Sequence, residues 1–152
     1  MRRKKINYDD PAIEERWCIE RRAQVIEYLA RQKLIHGEVG EWPAWHVAPY
    51  VSIWAIESKK RPGWVGWWAI CGDLPTDYIS AKSIKHPREA LKAFGKDWNR
   101  RSSLMSEGKG SSRTVGFPKE NWPALAPLLK ARAKILQDWA SDDSLWSEKR
   151  KL

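Results

Sequence analysis

Two stretches, Trp45 to Ser58 and Trp64 to Gly72, are rich in Val, Ile, Trp and Tyr and are separated only by Lys59-Lys60-Arg61-Pro62-Gly63. β-Branched and aromatic residues favour extended backbone and a Pro-Gly segment turns the chain, so the pattern predicts an antiparallel hairpin. With Glu57 opposite Trp64, one face carries Val51, Ile53, Ala55, Gly66, Trp68 and Ile70. The other carries Tyr50, Ser52, Trp54, Ile56, Val65, Trp67, Ala69 and Cys71. Neither face is polar. A sheet wetted on one side alternates apolar with polar residues, so these strands require cover on both sides, from helices or a second subunit.

The flanking segments supply the helices. Asp10-Pro11 is an N-cap followed by a residue suited to the first helical position, with Glu14 and Glu15 favoured by the helix dipole. Ile13, Trp17, Val25, Ile26 and Leu29 keep three- and four-residue spacing, and Gly37 supplies a stop, so this helix is expected to reach about Ile35. Gly72 to Asp77 reads as a turn, and Tyr78-Ile79-Ser80-Ala81 as a short third strand. His86-Pro87 opens a second helix whose buried stripe is Leu91, Phe94, Trp98 and Met105. Ser106 to Lys119 has the composition of a flexible loop, and Asn121 caps a third helix carrying Leu125, Leu128, Leu129, Leu136 and Trp139. The expected fold is α+β: a small antiparallel sheet of two or three strands covered by about three helices, spanning residues 11–146 as a single domain. Residues 1–10 and 147–152 are expected to be basic tails.

The balance of 42% hydrophobic and 31% charged residues in 152 excludes a disordered chain and fits one globular core. Lys and Arg number 28 against 19 Asp and Glu, a formal charge of +9 that permits acidic partners. Seven of the positive charges fall in the expected tails. Cys18 and Cys71 are too few for a disulfide framework or a zinc site, which suits a reducing compartment. Acidic residues from Asp9 to Glu20 stand where an export signal needs its apolar stretch. The longest charge-free run, Trp42 to Ile56, contains two prolines and falls short of the roughly 20 residues that span a bilayer. A cytoplasmic protein with no membrane partner is expected.

Several constellations invite a chemical reading. Gly108-Lys109-Gly110-Ser111 resembles a phosphate loop, but Leu104 stands where its first glycine is needed and Gly110 follows the lysine, so a plain loop is the better account. The register above brings Cys71 opposite Tyr50, near His46, Asp73 and Asp77, the proximity that a thiol nucleophile and histidine base require. Against it, cysteine is commonly buried and turn aspartates commonly bond their own backbone. His36, His46 and His86 show no metal-ligand spacing, and neither metal nor cofactor is expected. Of eleven tryptophans, Trp45, Trp54, Trp64, Trp67 and Trp68 lie on the hairpin; they serve either as core or as anchors at an interface. The residues singled out for partner binding are Asp73, Asp77, Tyr78, Trp54 and Trp67. Lys92, Lys96 and Arg100 on the second helix, with Lys109 and Arg113 in the loop, form a basic stripe able to meet phosphates or merely to face solvent.

Trp45 to Ala55, Gly66 to Ile79 with its Gly-Asp-Leu-Pro-Thr-Asp-Tyr segment, His86 to Leu91, Trp122 to Leu129, Asp142-Asp143 and Leu145-Trp146 together resemble a family of small bacterial proteins known only as a domain of unknown function. The resemblance covers nearly the whole chain beyond the first dozen residues. It implies a free-standing domain of helix and sheet and brings no activity, cofactor or catalytic residue.

Three functions remain. The first is a non-catalytic protein-binding module, such as an immunity or antitoxin-like protein that neutralises a partner. The second is a nucleic-acid binder using the basic helix and aromatic stacking, and the third a small enzyme with its site near Cys71, Asp73 and His46.

Overall fold

Asp10 accepts the Ala12 N–H on Oδ1 at 2.9 Å, and Pro11 opens α1 (Pro11–Arg31). Residues 5–146 are described by a computed structural model, without the side chains of Arg113 and Thr114. Of the expected tails, residues 1–4 and 147–152 lie outside the described residues. Beyond α1 come β1 (Trp45–Val47), β2 (Val51–Glu57), β3 (Val65–Gly72), β4 (Leu74–Ser80), α2 (Pro87–Ser106), the short α3 (Ser112–Val115) and α4 (Trp122–Ser141). The chain divides into two compact units, Met1–Pro87 and Arg88–Leu152.

In the first unit α1 stops at Arg31 rather than near Ile35. Lys33 takes a left-handed conformation (φ 57°), and the Lys33 and Leu34 N–H groups bond back to Ala30 and Leu29. This closure ends the helix before Gly37 is reached. Gly37 instead donates its N–H to the Glu57 carbonyl, leading into an isolated bridge between Val39 and Ile56. Arg22 secures that segment by donating Nε to the Gly40 carbonyl and Nη2 to the Val39 carbonyl, each at 2.9 Å.

The sheet is α+β as expected but has four strands, antiparallel in the order β1-β2-β3-β4, rather than two or three. The expected third strand at Tyr78–Ala81 is the later part of β4, and the strand not expected is β1, separated from β2 where apolar sequence conceals a reversal. Ala48–Tyr50 forms a turn, with a cis Ala48–Pro49 bond and the Tyr50 N–H on the Val47 carbonyl, which folds β1 back onto β2. Gly72 to Asp77 is not a loop: the chain reverses at Gly72-Asp73, and Leu74 already begins β4. Cys71 lies opposite Ser52, not Tyr50, so the expected register is displaced by two residues. From Val51 to Ile56 this even displacement leaves the paired side chains on their expected faces, whereas a bulge between Ile56 and Glu57 sets Val65 opposite Glu57, a shift of one that moves Val65 off its expected face.

Trp54, Ile56, Ala69 and Cys71 pack with Val25 and Leu29 of α1 and with Val39. Val51, Ile53 and Ile70 on the opposite face are also fully buried. On the outer strand β4, Ala81 donates to Gly66, so alternate residues point their N–H groups away from β3; that of Tyr78 is taken by Asp77 Oδ1 at 2.8 Å. Asp77 thereby blunts a sheet edge.

In the second unit, α2 buries Leu91, Phe94, Trp98 and Met105 as its spacing predicts. The buried stripe of α4 is Trp122, Ala126, Leu129, Ala133, Leu136 and Ala140, leaving Leu128 63% exposed. Small residues on that stripe admit close packing: a Cβ on Gly95 would stand 3.3 Å from the Ala133 carbonyl and the Leu136 Cβ. Arg88 at the start of α2 donates Nε to the Ala140 carbonyl at 2.6 Å, placing a cation at the negative end of α4. Asn121 makes no side-chain cap; the helix is preceded by a 3₁₀ turn, Lys119–Asn121. The expected loop after α2 contains α3, whose Val115 is fully buried.

Gly72 has φ 151°, and a Cβ there would meet the Tyr50 carbonyl and stand 2.9 Å from the Val51 Cα. Gly72→Ala is therefore expected to lower the unfolding free energy by about 2–4 kcal/mol, because both the backbone and its neighbour must shift. Gly63→Ala, at φ 88° with nothing within 4 Å, should cost about 1 kcal/mol. Urea denaturation with an unchanged m-value checks the pair.

Candidate functional site

His46, Ser52 and Cys71 are successive cross-strand partners on β1, β2 and β3 and therefore share a face. They do not form a nucleophile and base. Ser52 lies between the other two, donating its hydroxyl to the Cys71 carbonyl at 2.8 Å and accepting the Trp54 indole N–H at 2.8 Å. His46 turns towards α1, with Nε2 3.3 Å from Glu14 Oε2 and its ring stacked on Trp17. Cys71 is fully buried, and its sulfur accepts from the Thr76 hydroxyl, itself held by Gln24 Nε2. Burial pushes the thiol pKa up, against smaller opposing effects of Thr76 and the Arg21 charge, so the sulfur stays protonated at neutral pH. Cys18 is pushed up to about 11 by burial and then by Glu14.

The other expected binding residues are dispersed. Asp73 is exposed at the β3–β4 turn, its N–H on the Tyr50 carbonyl, whereas Asp77 is buried within β4. Trp54 is fully buried and has no surface to offer a partner. Trp67 and Tyr78 are half-buried and meet edge to face at 5.8 Å, with Tyr28 against Tyr78 at 6.1 Å.

The basic stripe of α2 is partly neutralised by its own neighbours. Arg100 pairs with Asp97 at 2.8 Å, and Lys109 with Glu107 at 3.4 Å. Lys92 and Lys96 remain exposed one turn apart, and the Arg113 side chain lies outside the described residues.

A different cluster emerges from the sheet register. The β2–β3 turn holds Lys59, Lys60 and Arg61; pairing Trp67 with Ser80 brings the chain after β4, with Lys82 and Lys85, to the same end. The helix closure leaves Lys33 there too, lining one hollow with Lys59 and Lys60. All six are exposed, and among the described residues none forms an ion pair. Arg61, Lys82 and Lys85 line a groove of about 740 Å³ with Ser58, Ser80 and Trp64, and no acidic side chain contributes to its walls. Trp64 is 60% exposed, with the Arg61 guanidinium 4.2 Å from its ring centroid. The groove floor is braced: Trp68 Nε1 donates to the Ile84 carbonyl at 2.9 Å, and Lys82 N to Ser80 Oγ at 3.2 Å. Lys59-Lys60-Arg61 beside Trp64 is visible in sequence as a polar turn; only the pairing of β3 with β4 adds Lys82 and Lys85.

The model of a family described as a domain of unknown function, DUF4826, matches residues 12–146. The chain belongs to that family. No curated protein and no solved structure matches it. Among the described residues of this DUF4826 chain, no three His, Cys, Asp or Glu side chains gather to hold a metal, and no helix is long and apolar enough to cross a membrane.

Iodoacetamide near neutral pH is expected to label neither Cys18 nor Cys71 of the native DUF4826 protein, and both once it is unfolded, as read by intact-mass spectrometry. Labelling of native Cys71 faster than that of the unfolded chain's thiols would reveal an activated nucleophile.

Proposed function

We propose that this protein is a non-catalytic binding module for nucleic acid, held at the end of the sheet that carries the β2–β3 turn. One observation carries the reading: every cation of the first unit from Lys33 onward collects at that end, exposed and without an ion pair among the described residues, beside an exposed tryptophan. Phosphates are the partners that such an array suits, since each cation engaged releases counterions from the nucleic acid. Relative to a site on the basic helix, this surface keeps its charges available, where Arg100 and Lys109 of the helix region are matched by Asp97 and Glu107.

Fluorescence anisotropy with a labelled oligonucleotide tests the reading. If all six cations engage, log affinity should fall with log salt with a slope of about −4 to −5. Lys59→Gln/Lys60→Gln should weaken binding about tenfold or more at low salt and flatten the slope by about 1.5 to 2. Lys92→Gln/Lys96→Gln should leave it within about twofold, as expected for solvated charges outside the site. No binding at low salt overturns the proposal, and loss confined to the Lys92/Lys96 variant moves the surface to α2.

A protein-binding role of the immunity or antitoxin kind is favoured by a separate observation. Trp42 and Tyr50 are 47% and 52% exposed, and aromatic residues of this kind anchor protein interfaces. A stoichiometric protein partner whose binding is abolished by Trp42→Ala/Tyr50→Ala, in a protein that ignores oligonucleotides, would establish that role instead.

A further inference from the structure

The groove beside the β2–β3 turn carries more than charge. The Arg61 guanidinium carbon lies over the Trp64 ring, 4.2 Å from its centroid, and both an indole and a guanidinium offer flat faces to a nucleobase. The two flanks of Trp64 differ. On one lies the groove with Arg61, Lys82 and Lys85; on the other a shallower hollow includes Glu38, Glu41 and Glu57. A polyanion is drawn to the first flank and repelled from the second, so the ring stands at a charge boundary that fixes which side a phosphate chain follows.

Access argues against a duplex. The major groove of B-DNA is about 8.5 Å deep and is read by an inserted helix or a free two-stranded ribbon. Here β2 and β3 are central strands, hemmed almost to their ends: Gly37 bonds Glu57 on one side and Ala81 bonds Gly66 on the other. Only the turn beyond them projects. Duplex bases are moreover stacked on each other and have no face to give Trp64, whereas those of a single strand are free to stack on a side chain.

Resting on the nucleic-acid reading above, we infer that the ligand is a single strand, with a base stacked on the Trp64–Arg61 pair and the adjoining phosphates following Lys82 and Lys85 along the groove. The experiment compares an oligothymidylate of about twelve nucleotides with a duplex of equal length by anisotropy at about 50 mM salt, using wild-type protein, Trp64→Ala and Trp64→Phe. Circular dichroism and thermal melting confirm that the variants fold, as expected for an exposed position. The single strand should bind about tenfold or more tightly than the duplex, Trp64→Ala should weaken it by roughly 5- to 100-fold with an unchanged salt slope, and Trp64→Phe should recover most of the loss. Duplex binding as tight as single-strand binding, or a Trp64→Ala variant that binds like wild type, overturns this inference. If Lys59→Gln/Lys60→Gln still weakens binding in that case, the nucleic-acid reading survives without it. Absence of binding to either oligonucleotide overturns both.

Discussion

β2 and β3 have no polar side to show to water, and this constraint propagates through the first unit. Apolar side chains on both faces require both to be buried, and each such side chain contributes about 1.5–3 kcal/mol when removed from water. Trp54, Ile56, Ala69 and Cys71 obtain cover from α1, while Val51, Ile53 and Ile70 are buried on the opposite face. The same two strands must also satisfy their backbone groups along both edges, which residues 37–47 and β4 accomplish. Polar groups carried inside are paired in sequence: the Trp54 indole donates to Ser52, and Ser52 to the Cys71 carbonyl. Neither is left at the cost of an unsatisfied buried donor.

The apolar hairpin, the two long helices after it and the N-terminal helix were legible because each is a periodic pattern whose side chains must be buried together. What escaped were one reversal without a strong compositional mark and the true extent of another that has one. The Ala48–Tyr50 turn sits inside a continuous Val-, Tyr- and Trp-rich run, so β1 and β2 read as one strand. Gly72 to Asp77 has the residues of a loop, yet the turn uses only Gly72-Asp73, and Pro75 is tolerated because it falls where the register shifts opposite Ile70–Gly72 and no regular ladder bond is needed. In α4, Leu128 follows helical spacing in sequence but faces outward, because the packed stripe runs through Ala126, Leu129 and Ala133. Periodicity identifies a helix more securely than it chooses between two adjacent stripes of similar hydrophobicity.

The candidate site was less legible than the fold for a related reason. Sequence proximity groups cations along α2, where it equally supplies their neutralising partners: Arg100 and Arg101 both reach Asp97. The cations at the β2–β3 turn come from three segments that only tertiary pairing unites. Such a set has no local acids placed among it by the helix repeat, and the nearby Glu57 is engaged by the Gly63 N–H. Cys71, the most conspicuous chemical group in the sequence, is instead part of the packing between sheet and helix.

The rigidity of the groove bears on what its charges can accomplish. Unit charges of like sign repel by about 1 kcal/mol at 4 Å in water and are screened beyond about 8 Å at physiological salt, so an exposed cluster is a modest burden on stability. Leaving Trp64 largely in water adds to it, since indole burial is favourable. Among the described residues no ion pair relieves the charge, and Trp64 stays 60% exposed even with the Arg61 guanidinium over its ring. The backbone beneath is nevertheless held by Ala81 to Gly66, Ile84 to Ala81 and the Trp68 indole to the Ile84 carbonyl. A ligand meeting these groups therefore orders side chains but not the segment that carries them, which lowers the entropy lost on association. Unpaired charge and an exposed ring on a braced backbone are together what a binding surface requires, and on the proposed reading a phosphate chain with a stacked base relieves both burdens at once.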